Sequence, residues 1–241
     1  MILGISGRTQ GPSAFYMLKG ISGRSFSPSR ALTPDRVVLA PAIIATINQT
    51  GYAMDKTVIS AQELLEDSFR LGVKVLESGF EPTMIIAIWR GGTPVGMALQ
   101  EILTYCGVDA DHIAIRTSSY TGVDQRGAVA VHGLNYMIKK VCHDDRVLIV
   151  DDVLDTGHTI RAVIDELTNR ARGNTPQNIR IAVPWYKPTR NETDLVPDYY
   201  IKETAEWLVF PHELDALTPE EMLQARPKLY DIIHGSRSTA A

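Results

Sequence analysis

The sequence predicts an α/β fold, a parallel sheet core flanked by helices, and two observations carry that expectation. Four apolar runs of strand length, "TMIIAIW" (83–89), "HIAIRTSSY" (112–120), "RVLIV" (146–150) and "NIRIAVPWY" (178–186), recur along the chain, and helix-spaced apolar patterns lie among them. Strand, turn and helix in alternation point to a parallel sheet. A strand covered on both faces also reads as a continuous apolar run rather than an alternating one. With 241 residues, 44% hydrophobic and 22% charged, the chain has an ordinary globular composition and the length of one large domain or one domain with additions.

Residues 1–53 stand apart. They hold Arg8, Lys19, Arg24, Arg30 and Arg36 against the single acid Asp35, with many Ser, Gly and Pro. That bias fits a transit peptide, a reading frame begun too far upstream with Met54 as the true start, or a genuine ordered extension. Poor order is expected up to about residue 50, although "VVLAPAIIATI" (37–47) has the makings of a local strand or helix. A core over 54–190 and a C-terminal segment over 191–241 follow.

The first helix signal is "SAQE", a capping box with Ser60 as N-cap and Glu63 reaching back, ahead of Leu64, Leu65, Phe69, Val73 and Leu76. Gly79 closes it. The run 83–89 turns through "RGGTP" into a helix along Ala98, Leu99, Ile102 and Leu103 that ends near Gly107. The run 112–120 enters a polar loop, "TGVDQRG". The strand 146–150 leads to a helix over 158–170, with Ile160, Val163, Ile164 and Leu167 at helical spacing. After Pro197 the rhythm breaks into an aromatic, irregular stretch. Thr218 with Glu221 then starts a short covering helix or subunit contact.

Charge and cysteine usage exclude several classes. A net charge of −4 gives no footprint for nucleic acid. No apolar run approaches the roughly 18 residues of a membrane span. Cys106 and Cys142 have no metal-ligand spacing and read as reduced cytoplasmic thiols.

The chemistry concentrates in "VLIVDDVLDTGHT" (147–159). In an open α/β sheet, ligands bind beyond the carboxyl ends of strands, where Asp151 and Asp152 stand. The turn after them supplies backbone N–H groups, a glycine, the hydroxyls of Thr156 and Thr159, and the N-terminus of a helix, all of which favour an anion. No Gly-Lys-Ser/Thr follows, so this is not a nucleotide P-loop. The carboxylates suit ribose hydroxyls or Mg²⁺; an Asp-rich N-cap with no ligand is the plain alternative.

That run resembles the phosphoribosyl pyrophosphate motif of the type I phosphoribosyltransferases. The resemblance implies that Asp155, Thr156, Gly157, His158 and Thr159 hold the 5′-phosphate, and that Asp151 and Asp152 serve the ribose hydroxyls and a Mg²⁺ ion. "IAIWRGGTPVG" (86–96) is similar to the family's pyrophosphate loop, with Arg90, Gly91 and Gly92 as binding residues. "TSSYTGVDQRG" (117–127) resembles its mobile loop, with Ser119, Tyr120 and Arg126 as candidates. "VPWYKP" and "PDYYIKETAEWLVFPHE" resemble the small C-terminal hood of the bacterial xanthine-guanine and the hypoxanthine-guanine members. By that likeness Lys187 donates to a purine 6-oxo group, Trp207 stacks on the base, and Leu208 offers backbone contacts. Glu213 falls where the family has an acid near a second metal. Val209 and Phe210 depart from the polar residues of the xanthine-guanine enzyme.

The resemblance, over about residues 58–215, implies a purine-salvage phosphoribosyltransferase that uses Mg²⁺ and forms a nucleoside monophosphate and pyrophosphate. It implies a homo-oligomer, a dimer or tetramer, and no nucleic-acid or membrane partner. Asp155 is the expected catalytic residue, as general base or proton partner at the purine imidazole ring. A transcriptional or enzyme regulator that keeps the sugar site as a sensor, and a pyrimidine or orotate enzyme, are the alternatives.

Overall fold

A computed structural model describes residues 42–47, 53–119 and 129–238, all within one compact unit. In chain order the elements begin with strands β1 (Ala42–Ile47) and β2 (Ala53–Val58), helix α1 (Ala61–Glu77), β3 (Met84–Trp89), α2 (Gly92–Tyr105) and β4 (Asp111–Ser119). They continue with β5 (Val129–His132), α3 (Asn135–Lys140), β6 (Arg146–Val150), β7 (Val153–Leu154), α4 (His158–Ala171) and β8 (Asn178–Tyr186). β9 (Tyr199–Glu203), β10 (Trp207–Val209), α5 (Pro219–Ala225) and α6 (Pro227–Ser238) complete the described chain.

The main sheet runs β5-β4-β3-β6-β8, with β7 beside the upper part of β8 and β9 on the opposite side of β8. Every pair in it is parallel except β4 with β5. The parallel core therefore stands as the apolar runs predicted. Its strands alternate between two apolar layers. Ile85, Leu148, Val150 and Ala182 face α1 and α2, whereas Ile86, Ile88, Val147, Ile149, Ile181 and Val183 face α3 and α4. Each fully buried Ile or Leu of these layers contributes about 1.5–3 kcal/mol relative to exposure.

Helix α1 starts where expected, but only half of the predicted capping box forms. Ser60 Oγ accepts from Glu63 N at 3.0 Å, while the Glu63 carboxylate accepts from Lys202 at 2.7 Å instead of reaching back. A tertiary cation outcompetes the local amide. Gly79 has φ +73° and ends the helix as a left-handed glycine. Thr218 makes a complete capping box with Glu221 at the start of α5.

Several elements differ from the sequence reading. The stretch after Pro197 is not irregular: β9 runs parallel to β8 and β10 joins β2. β9 follows β8 through a loop rather than a crossover helix, so the alternation that reveals parallel strands is missing there. β5 and α3 occupy "VAVH" (129–132) and "NYMIKK" (135–140), which the sequence left unassigned. The hood is also not confined to residues after 190. β1, β2 and β10 form one small sheet, antiparallel between β1 and β2 and parallel between β2 and β10. β1 realises the strand option for the 37–47 stretch, and the expectation for residues 1–41 and 48–52 lies outside the described residues. Val58, Val209, Leu217 and Met222 pack as the hood's own core.

Candidate active site

β3, β6 and β8 are parallel neighbours, so their carboxyl ends meet at one edge of the sheet. There the chain presents Arg90, Asp151 and Lys187 in turn. β6 does not end cleanly. After Val150 the chain leaves the ladder for Asp151 and Asp152, then rejoins β8 as β7. Asp151 N donates to Ala182 O at 3.3 Å and Trp185 N donates to Asp152 O at 3.4 Å, so β8 holds both sides of the interruption. Two acids are thus displayed on a rigid element rather than a free loop.

The two glycines of the Arg90 turn have a packing reason of their own. A Cβ on Gly91 would stand 2.6 Å from Asp152 Oδ1 and closer still to Oδ2, and one on Gly92 would stand 2.8 Å from the Asp151 Cα. The turn lies directly on the acidic pair, and only glycine fits. The Trp89–Arg90 peptide is cis. Arg90 itself is exposed and outside the walls of the two cavities described below.

Asp152 is buried and its Oδ2 lies 2.9 Å from His212 Nε2, whose ring stacks on Phe210. Asp151 is half-buried. Burial of its carboxyl, reinforced by the neighbouring Asp152, pushes Asp151 well above the usual carboxylate range.

The glycine turn and helix start expected after Asp155 are present. Gly157 takes φ +84° and N-caps α4, and a cavity of about 170 Å³ is lined by Asp151, Asp152, Asp155, Thr156, Gly157 and Thr159 among others. His158 turns instead to Glu192 at 2.8 Å. The loop after β8 is stitched to this turn at several points. Glu192 N donates to Thr156 O at 3.0 Å, Arg161 pairs with Asp194, and a Cβ on Gly157 would run into Thr193.

A second cavity, about 240 Å³, opens beneath the hood between Asp152, Asp155, Lys187, Trp207, Phe210 and Glu213. Lys187 is 4% exposed. Its backbone N donates to Leu154 O at 3.0 Å and its Nζ donates to Asp155 Oδ2 at 3.1 Å. Asp155 Oδ1 accepts from Arg190 Nε at 2.7 Å, so this carboxylate lies between two cations. Trp207 is 42% exposed at the rim, while Leu208 is buried. The two cavities share Asp152, Val153 and Asp155 as a common wall.

Asp155, Lys187 and Trp207 therefore come together as expected from sequence. The acids named for metal do not gather as a trio. Among the described residues no three His, Cys, Asp or Glu side chains are grouped to hold an ion, and Glu213 Oε2 accepts from Phe210 N at 3.1 Å. This sparse set still suits Mg²⁺, which is commonly held by one or two carboxylates plus substrate phosphates and water. Ser119 ends β4; Tyr120 and Arg126 lie outside the described residues. Sequence reasoning missed Arg190 and His212. Neither has a motif, and the one hint is that a turn at "KPTR" returns the residue three after Lys187 to the strand end.

The phosphoribosyl transferase domain family matches residues 57–217. The chain belongs to this family. It is a glycosyltransferase-type enzyme, of a family that acts on purines or pyrimidines with phosphoribosyl pyrophosphate and generally uses Mg²⁺. A hypoxanthine-guanine phosphoribosyltransferase of Lactococcus lactis is 26% identical over 151 residues, 61% of this chain and 75% of that protein. A hypoxanthine/guanine phosphoribosyltransferase of Methanocella arvoryzae is 34% identical over 119 residues, 47% of this chain and 57% of that protein. The crystal structure of a Pyrococcus horikoshii purine phosphoribosyltransferase is similar with TM-score 0.52 and 32% identity, covering 66% of this chain and 95% of that one. The bifunctional protein PyrR of Haemophilus influenzae is 29% identical over 126 residues, 49% of this chain and 70% of its own. No helix among the described residues is long and apolar enough to cross a membrane.

Proposed function

We propose that this phosphoribosyltransferase moves ribose 5-phosphate from phosphoribosyl pyrophosphate to a 6-oxopurine, hypoxanthine, guanine or xanthine, in purine salvage. One observation carries the reading. The anion-turn cavity and the hood cavity meet along Asp152 and Asp155, and a nearly buried lysine stands in the second. A sugar with its 5′-phosphate at Thr156–Thr159 would bring its anomeric carbon to that shared wall, facing a base under Trp207.

In this reading the bond from C1′ to the pyrophosphate oxygen breaks, the leaving group takes the electron pair, and the purine nitrogen bonds to C1′. Asp155 accepts the proton that this nitrogen loses, after exchanging a cation partner for it. Asp152, held by His212, faces the oxocarbenium-like charge that develops at C1′. Lys187 keeps donors free beyond its bond to Asp155 and gives one to the purine 6-oxygen; adenine, with an amine there, offers no acceptor. Mg²⁺, when bound, neutralises charge on the departing pyrophosphate. Asp151 and Asp152 are the carboxylates that would hold it. The free, exposed Cys106 and Cys142 are in keeping with a reducing cytoplasm. An assembly of two or four copies agrees with the family resemblance and is checked by light scattering.

The test is incubation with phosphoribosyl pyrophosphate, Mg²⁺ and, separately, hypoxanthine, guanine, xanthine, adenine, uracil or orotate, following nucleotide formation. Product with the 6-oxopurines is expected. Product only with a pyrimidine overturns the base assignment, and product with none favours a sensor that retains the sugar site.

A further inference from the structure

None of residues 218–238 lines either cavity, and they lie beyond the family match, yet one side chain from this segment grips the hood. Arg226 sits at the break between α5 and α6, with φ −141° and ψ 59°. Its guanidinium turns back onto the loop that follows β10. Nη1 donates to the carbonyl oxygens of Pro211 at 3.2 Å and Glu213 at 3.1 Å, and Nη2 to those of Val209 at 3.4 Å and Phe210 at 2.8 Å. A planar fork with several fixed donors is suited to gathering carbonyls from one turn, and an ammonium cannot span the same set.

The gripped loop shapes the base cavity. Phe210 and Glu213 line that cavity, Leu208 and Trp207 precede the loop, and His212 within it holds Asp152. The loop closes on itself through Glu213 N to Phe210 O at 3.0 Å and Val209 O also accepts from Ile59 N at 3.0 Å, while Arg226 gathers the carbonyls of Val209, Phe210, Pro211 and Glu213 together. The arginine is anchored in turn. Its backbone N donates to Met222 O at 2.7 Å, Met222 is in the hood core, and Glu221 pairs with Lys56 of β2 at 3.0 Å. Arg226 thus links the C-terminal helices to the wall against which a base would lie.

We propose that Arg226 is a positioning residue for the base, fixing the backbone of residues 209–213 and thereby the affinity and selectivity of the hood cavity without touching substrate. The inference rests on the reading that this cavity receives the base. The turn ahead of α4 supplies none of the four carbonyls that Arg226 bonds, so binding of the 5′-phosphate at Thr156–Thr159 should be insulated from it, whereas the link through His212 to Asp152 is not.

The test compares wild type, Arg226→Ala and the milder Arg226→Lys in steady-state kinetics with guanine and hypoxanthine. KM for the base should rise about tenfold or more in Arg226→Ala, with KM for phosphoribosyl pyrophosphate within about threefold and any fall in kcat no larger than that of His212→Ala, since His212 lies in the gripped loop; Arg226→Lys should fall between. Dilute, non-denaturing guanidinium should lower the raised base KM. Should Arg226→Ala not fold, Arg226→Lys alone decides. An unchanged base KM, or equal losses toward both substrates, overturns the inference. Calorimetry gives a readout independent of turnover: GMP should bind the variants more weakly while ribose 5-phosphate binds as in wild type. Equal weakening of both ligands overturns the role of Arg226. A wild type that binds GMP no better than ribose 5-phosphate overturns the base-cavity reading and this inference with it.

Discussion

Gly91→Ala offers a sharp test of how the Arg90 turn and the acidic pair depend on each other. The new methyl would lie 2.6 Å from Asp152 Oδ1 and nearer to Oδ2, where ordinary contact begins at 3.4 Å. The carboxylate must therefore move by about 1 Å or more, which carries Oδ2 from 2.9 Å beyond hydrogen-bond reach of His212 Nε2. Loss of a hydrogen bond to a charged group costs about 1.5–3 kcal/mol. His212 would then have neither ring nitrogen satisfied, because its Nδ1 is already buried without a partner. If Asp152 acts on the sugar in the transition state, that energy corresponds to a loss of about 10- to 150-fold in kcat/KM. Initial rates against phosphoribosyl pyrophosphate for Gly91→Ala, His212→Ala and the double variant measure it. Because both single changes break the same contact, the double variant should lose little more than either one. A Gly91→Ala enzyme within twofold of wild type, or fully additive losses, would refute the reasoning.

Three further expectations follow from the same geometry. Asp155→Asn should lower turnover by about two to four orders of magnitude while largely sparing sugar-phosphate binding; near-wild-type turnover removes Asp155 from proton transfer. Lys187→Gln should weaken selection of 6-oxopurines over adenine by about 1–3 kcal/mol, read as the ratio of kcat/KM for guanine and adenine. Asp145 tests pH dependence. Burial alone would raise its pKa, but hydrogen bonds from Cys142 N and Thr83 Oγ1, each 2.7 Å, outweigh burial and hold it below the usual carboxylate range. A depressed folded pKa gives stability that is present above the unfolded value of about 3.9 and lost as pH falls through the folded one. Asp145→Ala should thus cost about 1–2 kcal/mol in urea unfolding at neutral pH, with the difference fading in acid; a pH-independent difference would count against the carboxylate.

The sequence by itself determined the parts of this protein that rest on local pattern. Continuous apolar runs specify strands covered on both faces, and β3, β6 and β8 followed. Ser60, Gly79 and Thr218 act through bonds within a few residues, so helix ends were legible at those positions. "VLIVDDVLDTGHT" made the turn ahead of α4 legible because a strand end, a left-handed glycine and a helix start occur in consecutive residues. Lys187 and Trp207 were legible only through resemblance, since a lone lysine or tryptophan carries no pattern of its own.

Tertiary structure decided what depends on distant chain segments. The hood sheet joins β2 to β10, two strands separated by most of the chain, and no period in either announces the other. Gly91 and Gly92 stood out in the sequence only as part of a loop resemblance, and packing shows that the acidic pair occupies the space a side chain would need there. Glu63 left its capping position for Lys202 because a charged partner across the fold binds it more strongly than a nearby amide. Arg190, His212 and Arg226 have roles that exist only once the chain returns to the sheet edge. Local sequence sets backbone preference and burial, but which carboxylate meets which cation is fixed by the fold, since those contacts span sequence separations that no local pattern encodes.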